Sequence, residues 1–169
     1  TQISPVSAED VAQEFHGLIK IILNDGPCKI GLESTVVDLT SEPKILRPGL
    51  ISPADISKVL NRKILIEQDS KTIKSPGMLK RHYSPGIPIK LNQKKAKNNE
   101  AFIVFGKKYR TGKNIFNLSY KSNLNEAAKN LYKTLRLIKN KNYKMICVSS
   151  IPQTGIGLAI NDRLNRAAK

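Results

Sequence analysis

"NLNEAAKNLYKTLRLIKNKNYKMICVSS" (residues 123–150) changes period in the middle. In its first part Leu124, Ala128, Leu131, Leu135 and Ile138 recur at helical spacing, and Asn123 with Glu126 three residues later is a capping pattern. Its last eight residues, "YKMICVSS" (143–150), form a short apolar run of the kind found in a buried strand. A helix feeding directly into a buried strand predicts a crossover unit in a parallel sheet. Working outward, "IPIKLN" (87–92), "AFIVFG" (101–106) and "NIFNLS" (114–119) read as further strands. A helix over about 157–168 turns Ile160, Leu164 and Ala167 inward. Residues 87–169 are therefore expected to form a small, mostly parallel α/β sandwich.

Toward the N-terminus the pattern is more mixed. Residues 7–24 read as a helix, with Ser7 and Asp10 at its start, an apolar stripe of Val11, Phe15, Leu18 and Ile22, and "NDGP" (24–27) as a stop. "STVVDL" (34–39) and "KILR" (44–47) read as neighbouring strands joined by a short turn. Ser52 can cap a helix that has Pro53 at its first position and runs to about Leu60, and "KILIE" (63–67) reads as one more strand. From residue 68 to 86 no periodicity survives, which is long for a connection inside one domain and reads as a functional loop or a linker. The expected organisation is 1–67, a linker 68–86, and 87–169.

The net charge of +16 lies almost wholly in the last unit: residues 87–169 hold 18 Lys/Arg against 3 Asp/Glu, whereas residues 1–86 hold 11 against 10. Such a surface can attract RNA by counterion release. An excess of 22 lysines over 7 arginines also fits a compositional bias with no site behind it. With 40% hydrophobic residues and no apolar run of the roughly 18 residues a membrane span needs, the chain reads as soluble. The opening "TQISPVSAEDV" resembles an interior segment, not a secretory leader. Cys28 and Cys147 lack metal-ligand or disulfide spacing; each reads as a small buried hydrophobe, consistent with a reducing cytoplasm.

Three stretches carry groups able to bind a polar ligand. In "GPCKIGLESTVVD" (26–38) a glycine turn delivers Glu33, Ser34 and Thr35 to a strand start, where hydroxyls can serve a ligand or merely the turn. In "ILRPG" (45–49) Arg47 leaves a strand at a Pro-Gly turn, suited to an anion clamp or to a solvated edge. In "SPGMLKRHYSP" (75–85) two proline turns bracket Lys80, Arg81, His82 and Tyr83, donors that could close over a phosphate or a base. No nucleophile/base pair, P-loop or metal-ligand cluster is visible. "GIGLAIND" (155–162) lacks the third glycine of a dinucleotide fingerprint.

Taken in order, "ISPVSAEDVAQEF" (3–15), "GPCKIGLESTVVDL" (26–39), "ILRPGLIS" (45–52), "SPGMLKRHYSP" and "GIGLAINDRLNRAA" (155–168) resemble the long, two-domain form of threonylcarbamoyl-AMP synthase. The resemblance implies a truncated YrdC-like α/β catalytic domain, a linker crossing the active site, and a small Rossmann-like three-layer α/β domain. It implies L-threonine, bicarbonate and ATP with Mg2+ as the reacting set, pyrophosphate release, and a product used for the t6A37 modification of tRNA in the cytoplasm. Carried over residue by residue, Val6, Arg47, His82 and Tyr83 are the implied ATP contacts and Ser34 the implied threonine contact, with no catalytic group assigned. The family's K-x-R motif and "SAN" segment have no counterpart here. Apolar faces of the first unit are therefore expected to lie uncovered, and a separate N-terminal catalytic segment is the implied partner. The alternatives are a non-catalytic basic module that binds RNA or a protein partner, and an inactive remnant.

Overall fold

A computed structural model describes residues 2–67, 74–79, 82–110 and 112–169. The chain runs α1 (Ala8–Phe15), β1 (Val36–Asp38), β2 (Lys44–Arg47), α2 (Pro53–Leu60), β3 (Leu65–Ile66), β4 (Ile89–Lys90), β5 (Glu100–Val104), β6 (Ile115–Asn117), α3 (Leu124–Lys139), β7 (Met145–Val148) and α4 (Gly157–Ala167). It is an α/β fold with four helices. β2 coincides with its expected run, β5 begins one residue earlier than expected at Glu100, and the other strands fall inside their expected runs but are shorter.

The second unit carries a four-stranded sheet in the order β4-β7-β5-β6 with every pairing parallel. α3 carries the chain from β6 back over β5 to β7, as the helix-to-strand reading of residues 123–150 predicts. Alternation along the strands divides the sheet's faces: Ala101, Ile103, Ile146 and Val148 enter the main core with Leu131, Leu135, Ile138, Ile160 and Leu164. Phe102, Val104 and Cys147 face the opposite side, where Ala96, Tyr109, Ile115 and Met145 cover them. Both helices thus lie on one face and chain without helix covers the other, so the three-layer expectation is corrected. The segments on either side of β5 are too short and too rich in lysine to form a second helical layer.

The first unit is a three-stranded sheet, β1-β2-β3, with β1 antiparallel to β2 and β3 parallel to it. α2 begins as expected: the Ser52 hydroxyl accepts from the Asp55 N–H, and Asp55 accepts from the Ser52 N–H in return. The helix expected over 7–24 ends at Phe15, because His16 is left-handed and Gly17 follows at φ +80°. Of the expected stripe, Val11 and Ile22 are half-buried while Phe15 and Leu18 are exposed, Leu18 by 84%, and beside them Ile21 (80%) and Leu23 (92%) lie open, in keeping with the uncovered apolar faces expected of this unit. Leu39, Val59 and Leu65 also lie open. Cys28 is exposed, not buried as its residue type suggested, whereas Cys147 is buried. Burial and the Glu100 carboxylate, which accepts its S–H, push the Cys147 thiol up to about 11.

Candidate functional site

The antiparallel pairing of β1 with β2 sets Val36 opposite Arg47, so the residues just before β1 meet those just after β2. Gly49 makes the approach close: a Cβ there would collide with the Thr35 amide nitrogen and the Glu33 carbonyl. Across this contact the Arg47 guanidinium donates from Nε to the Ser34 carbonyl (3.1 Å) and from Nη2 to the Ser34 hydroxyl (3.3 Å). Its Nη1 donates to the Pro76 carbonyl (3.1 Å), which brings the linker over the same point. Three of the five guanidinium N–H groups are used in this way, and among the described residues two have no recipient.

Gly77 follows at φ +85°, and a Cβ on it would lie 2.5 Å from the Tyr83 hydroxyl and 3.0 Å from Arg47 Cδ. Tyr83 is 1% exposed, yet its hydroxyl has no hydrogen-bond partner among the described residues. Its ring stacks near Tyr132 (centroids 5.6 Å apart), with the Arg163 guanidinium 5.2 Å from its centre. The His82 Nδ1 accepts from the Tyr83 N–H at 2.9 Å, which requires a neutral imidazole at that nitrogen, and burial lowers the His82 pKa in the same sense.

Beneath Ser34 lies a polar cluster that joins the two units. The Glu33 carboxylate accepts from the Ser4 hydroxyl (2.5 Å), the Tyr132 hydroxyl (3.1 and 3.0 Å) and Arg163 Nε (2.8 Å). Arg163 is fully buried; its Nη2 donates to the Pro48 carbonyl (3.1 Å) and its Nη1 to Asp162 (2.7 Å). Burial pushes the Glu33 pKa up, but the Ser4 hydrogen bond and the Arg163 charge outweigh it and leave the carboxyl below its ordinary value. A depressed folded value means that the stabilisation is complete above the unfolded pKa of about 4.3 and is lost as pH falls through the lower folded value. Thermal melts should therefore show the chain weakening below about pH 4.5, and Glu33→Gln should flatten that part of the profile. An unchanged slope would remove Glu33 as its source.

Of the residues singled out by sequence, Ser34, Arg47 and Tyr83 converge and His82 flanks them. Val6 makes no recorded hydrogen bond to this group: its N–H donates to Asp10, its carbonyl accepts from the Cys28 N–H, and its side chain packs on the main core. Lys80 and Arg81 lie outside the described residues. Sequence reasoning missed Tyr132, Arg163 and Arg166. Their signal was available, since Arg163 follows Ile160 by three and adjoins Leu164, placing a guanidinium on the apolar stripe of α4. Among the described residues no three His, Cys, Asp or Glu side chains group to hold a metal. The carboxylate nearest Ser34 is already engaged by Ser4, Tyr132 and Arg163, so these residues do not fit a magnesium site of their own.

The geometry defines a class: a two-sheet α/β chain whose two units meet at an arginine-bearing site that a linker crosses. A family model described as "Threonylcarbamoyl-AMP synthase, C-terminal domain" matches residues 51–169, and one described as "Telomere recombination" matches residues 1–49. The threonylcarbamoyl-AMP synthases of Pyrococcus abyssi and Bacillus subtilis are each 32% identical to the chain; each alignment takes in 98% of it, and 54% and 53% of those proteins respectively. The crystal structure of P. abyssi Sua5 complexed with L-threonine is similar at a TM-score of 0.85 and 30% identity, over 99% of this chain and 54% of that one. A structure of the same archaeal protein with an adjacent His-Tyr pair changed to alanine is similar at a TM-score of 0.83 and 28% identity. The chain belongs to the threonylcarbamoyl-AMP synthase family, and it spans about half the length of the curated relatives it matches.

Proposed function

We propose that the chain is the C-terminal portion of a threonylcarbamoyl-AMP synthase, and that it supplies one wall of the site joining L-threonine, bicarbonate and ATP. The observation that carries this reading is the Arg47 guanidinium, fixed on Ser34 and Pro76, beside the buried Tyr83 hydroxyl, which has no hydrogen-bond partner among the described residues. In the reaction, the threonine amine and bicarbonate form a carbamate with loss of water. A carbamate oxygen then attacks the α-phosphorus of ATP, and pyrophosphate leaves. Arg47 would hold phosphate oxygens as their charge shifts, and Ser34 would hold the threonine. Residues 75–79 and 82–83 would lie over the pocket, with His82 and Tyr83 on the nucleotide, excluding water from a carbamate and a mixed anhydride that both hydrolyse readily. Any magnesium would arrive with the nucleotide, and the product would serve t6A formation on cytoplasmic tRNA. Two likenesses support these assignments: the archaeal relative solved with L-threonine, and the one solved with a His-Tyr pair removed. In this chain His82–Tyr83 is where those two residue types adjoin.

The rest of the catalytic sheet would come from an N-terminal segment, on a second chain or in a longer parent, covering Leu18, Ile21, Leu23, Leu39 and Leu65, which lie exposed. The test is pyrophosphate release from ATP with L-threonine and bicarbonate, run on the chain alone and with that segment added. Activity is expected only after addition, and Arg47→Ala should cut it by about a hundredfold. Silence with the segment shown to be bound would overturn the reading. The +15 balance of residues 87–169 favours a second one, a basic RNA-binding module, for which steeply salt-dependent tRNA affinity would be the sign.

A further inference from the structure

The three segments that build the candidate site, 33–34, 47–48 and the described residues of 75–79 and 82–83, are distant in sequence, and a little over one turn of α4 reaches all of them. Arg163 donates to Glu33, the residue before Ser34, and to the carbonyl of Pro48, the residue after Arg47. Arg166 donates from Nη1 to the carbonyls of Met78 and Leu79 (3.0 Å each), and its own carbonyl accepts from the His82 N–H (3.2 Å). Asp162 links the two guanidinium groups, with Oδ2 2.7 Å from Arg163 Nη1 and its two oxygens 3.0 and 3.2 Å from Arg166 Nε.

We propose that Asp162, Arg163 and Arg166 form a clasp through which α4 positions the site. Arg163 sets Ser34 against Arg47, and Arg166 holds the linker down over both. The inference rests on the proposed roles of Ser34, Arg47 and Tyr83. The three clasp residues are positioning residues, since each acts on the segments behind the ligand contacts. The planar fork of arginine suits the task, because it engages acceptors on separate segments of the chain and fixes their spacing and angle together. Reactions of this kind lose rate when a contact group moves by as little as an ångström.

Arg166→Gln is the decisive variant, because Asp162 keeps Arg163 and no buried charge is left alone. Arg163→Lys and Arg166→Lys accompany it, both retaining the charge. Hydrogen exchange is measured on the chain, and kinetics with ATP and L-threonine are measured after the N-terminal segment is added. Arg166→Gln should speed exchange over residues 77–79 and 82–83 by about tenfold, leave β5 and β7 unchanged, and raise the KM for ATP about tenfold with kcat nearly constant. Arg166→Lys should restore part of both effects, and Arg163→Lys should loosen 33–35 and 47–49 in the same local way. Unchanged local exchange, loosening shared equally by β5 and β7, or local loosening with an unaltered KM would each overturn the clasp. If the unaltered complemented protein releases no pyrophosphate, the proposed function fails, and the exchange pattern alone then decides whether the clasp exists.

Discussion

Replacing Gly49 with alanine should separate the two halves of the candidate site. The added methyl would meet main-chain atoms of Glu33, Ser34 and Thr35, which cannot swing aside as the tip of a long side chain can. Relief requires the 33–35 segment to move away from the turn after β2, carrying the Ser34 hydroxyl out of reach of Arg47 Nη2, now 3.3 Å away. The second sheet shares no backbone with this contact and should keep its protection. The expected outcome is loss of ATP- and threonine-dependent turnover by about a hundredfold or more, with the far-ultraviolet spectrum nearly unchanged. Turnover within about twofold of the unaltered protein would show that the closeness of these two segments is dispensable.

The second large effect concerns stability. Arg163→Met leaves Glu33 without its guanidinium and the Pro48 carbonyl without its donor, in surroundings where Arg163 itself is wholly out of water. Removing one member of such a pair costs about 3–5 kcal/mol, which in a chain of this size lowers the melting temperature by roughly 10 °C. Adding Glu33→Gln removes the stranded charge, so the double variant should recover more than half of that loss. Thermal melts at pH 7 on the two single variants and the double one give the comparison. A double variant no better than Arg163→Met would mean that the guanidinium stabilises by packing against the Tyr83 ring instead of by its charge.

Much of the second unit was legible because its signals are local. The stripe from Leu124 to Ile138 and the run after it specify a helix and a buried strand without reference to anything distant. The layer count was not legible, since the side of a sheet to which a helix docks is set by crossover geometry and not by its own periodicity. In the first unit, Phe15 and Leu18 had the appearance of core positions in sequence because hydrophobicity records what a residue is suited to meet, not what is present. The same limit applies to the site. Ser34, Arg47 and Tyr83 stood out through glycine and proline turns in their immediate neighbourhood. Arg163 and Arg166 act on partners far along the chain, and only folding brings them together.

Those distances have a consequence for how the protein is made. Arg163 reaches back 130 residues to Glu33 and 115 to Pro48, and Arg166 reaches back 88 to Met78. At the usual pace of translation, about 5–20 residues per second, Pro48 is synthesised roughly 6–23 s before Arg163 exists. Throughout that interval the nascent chain holds a carboxylate awaiting its cation and a row of uncovered leucines and isoleucines, the condition in which chaperones and proteases engage a polypeptide. Closure of the ligand wall is thus a late event of biogenesis. A ribosome that stalled before Asp162 would release a product in which Ser34 and Arg47 meet only through the β1–β2 pairing and their own hydrogen bonds, without the Arg163 and Arg166 contacts behind them.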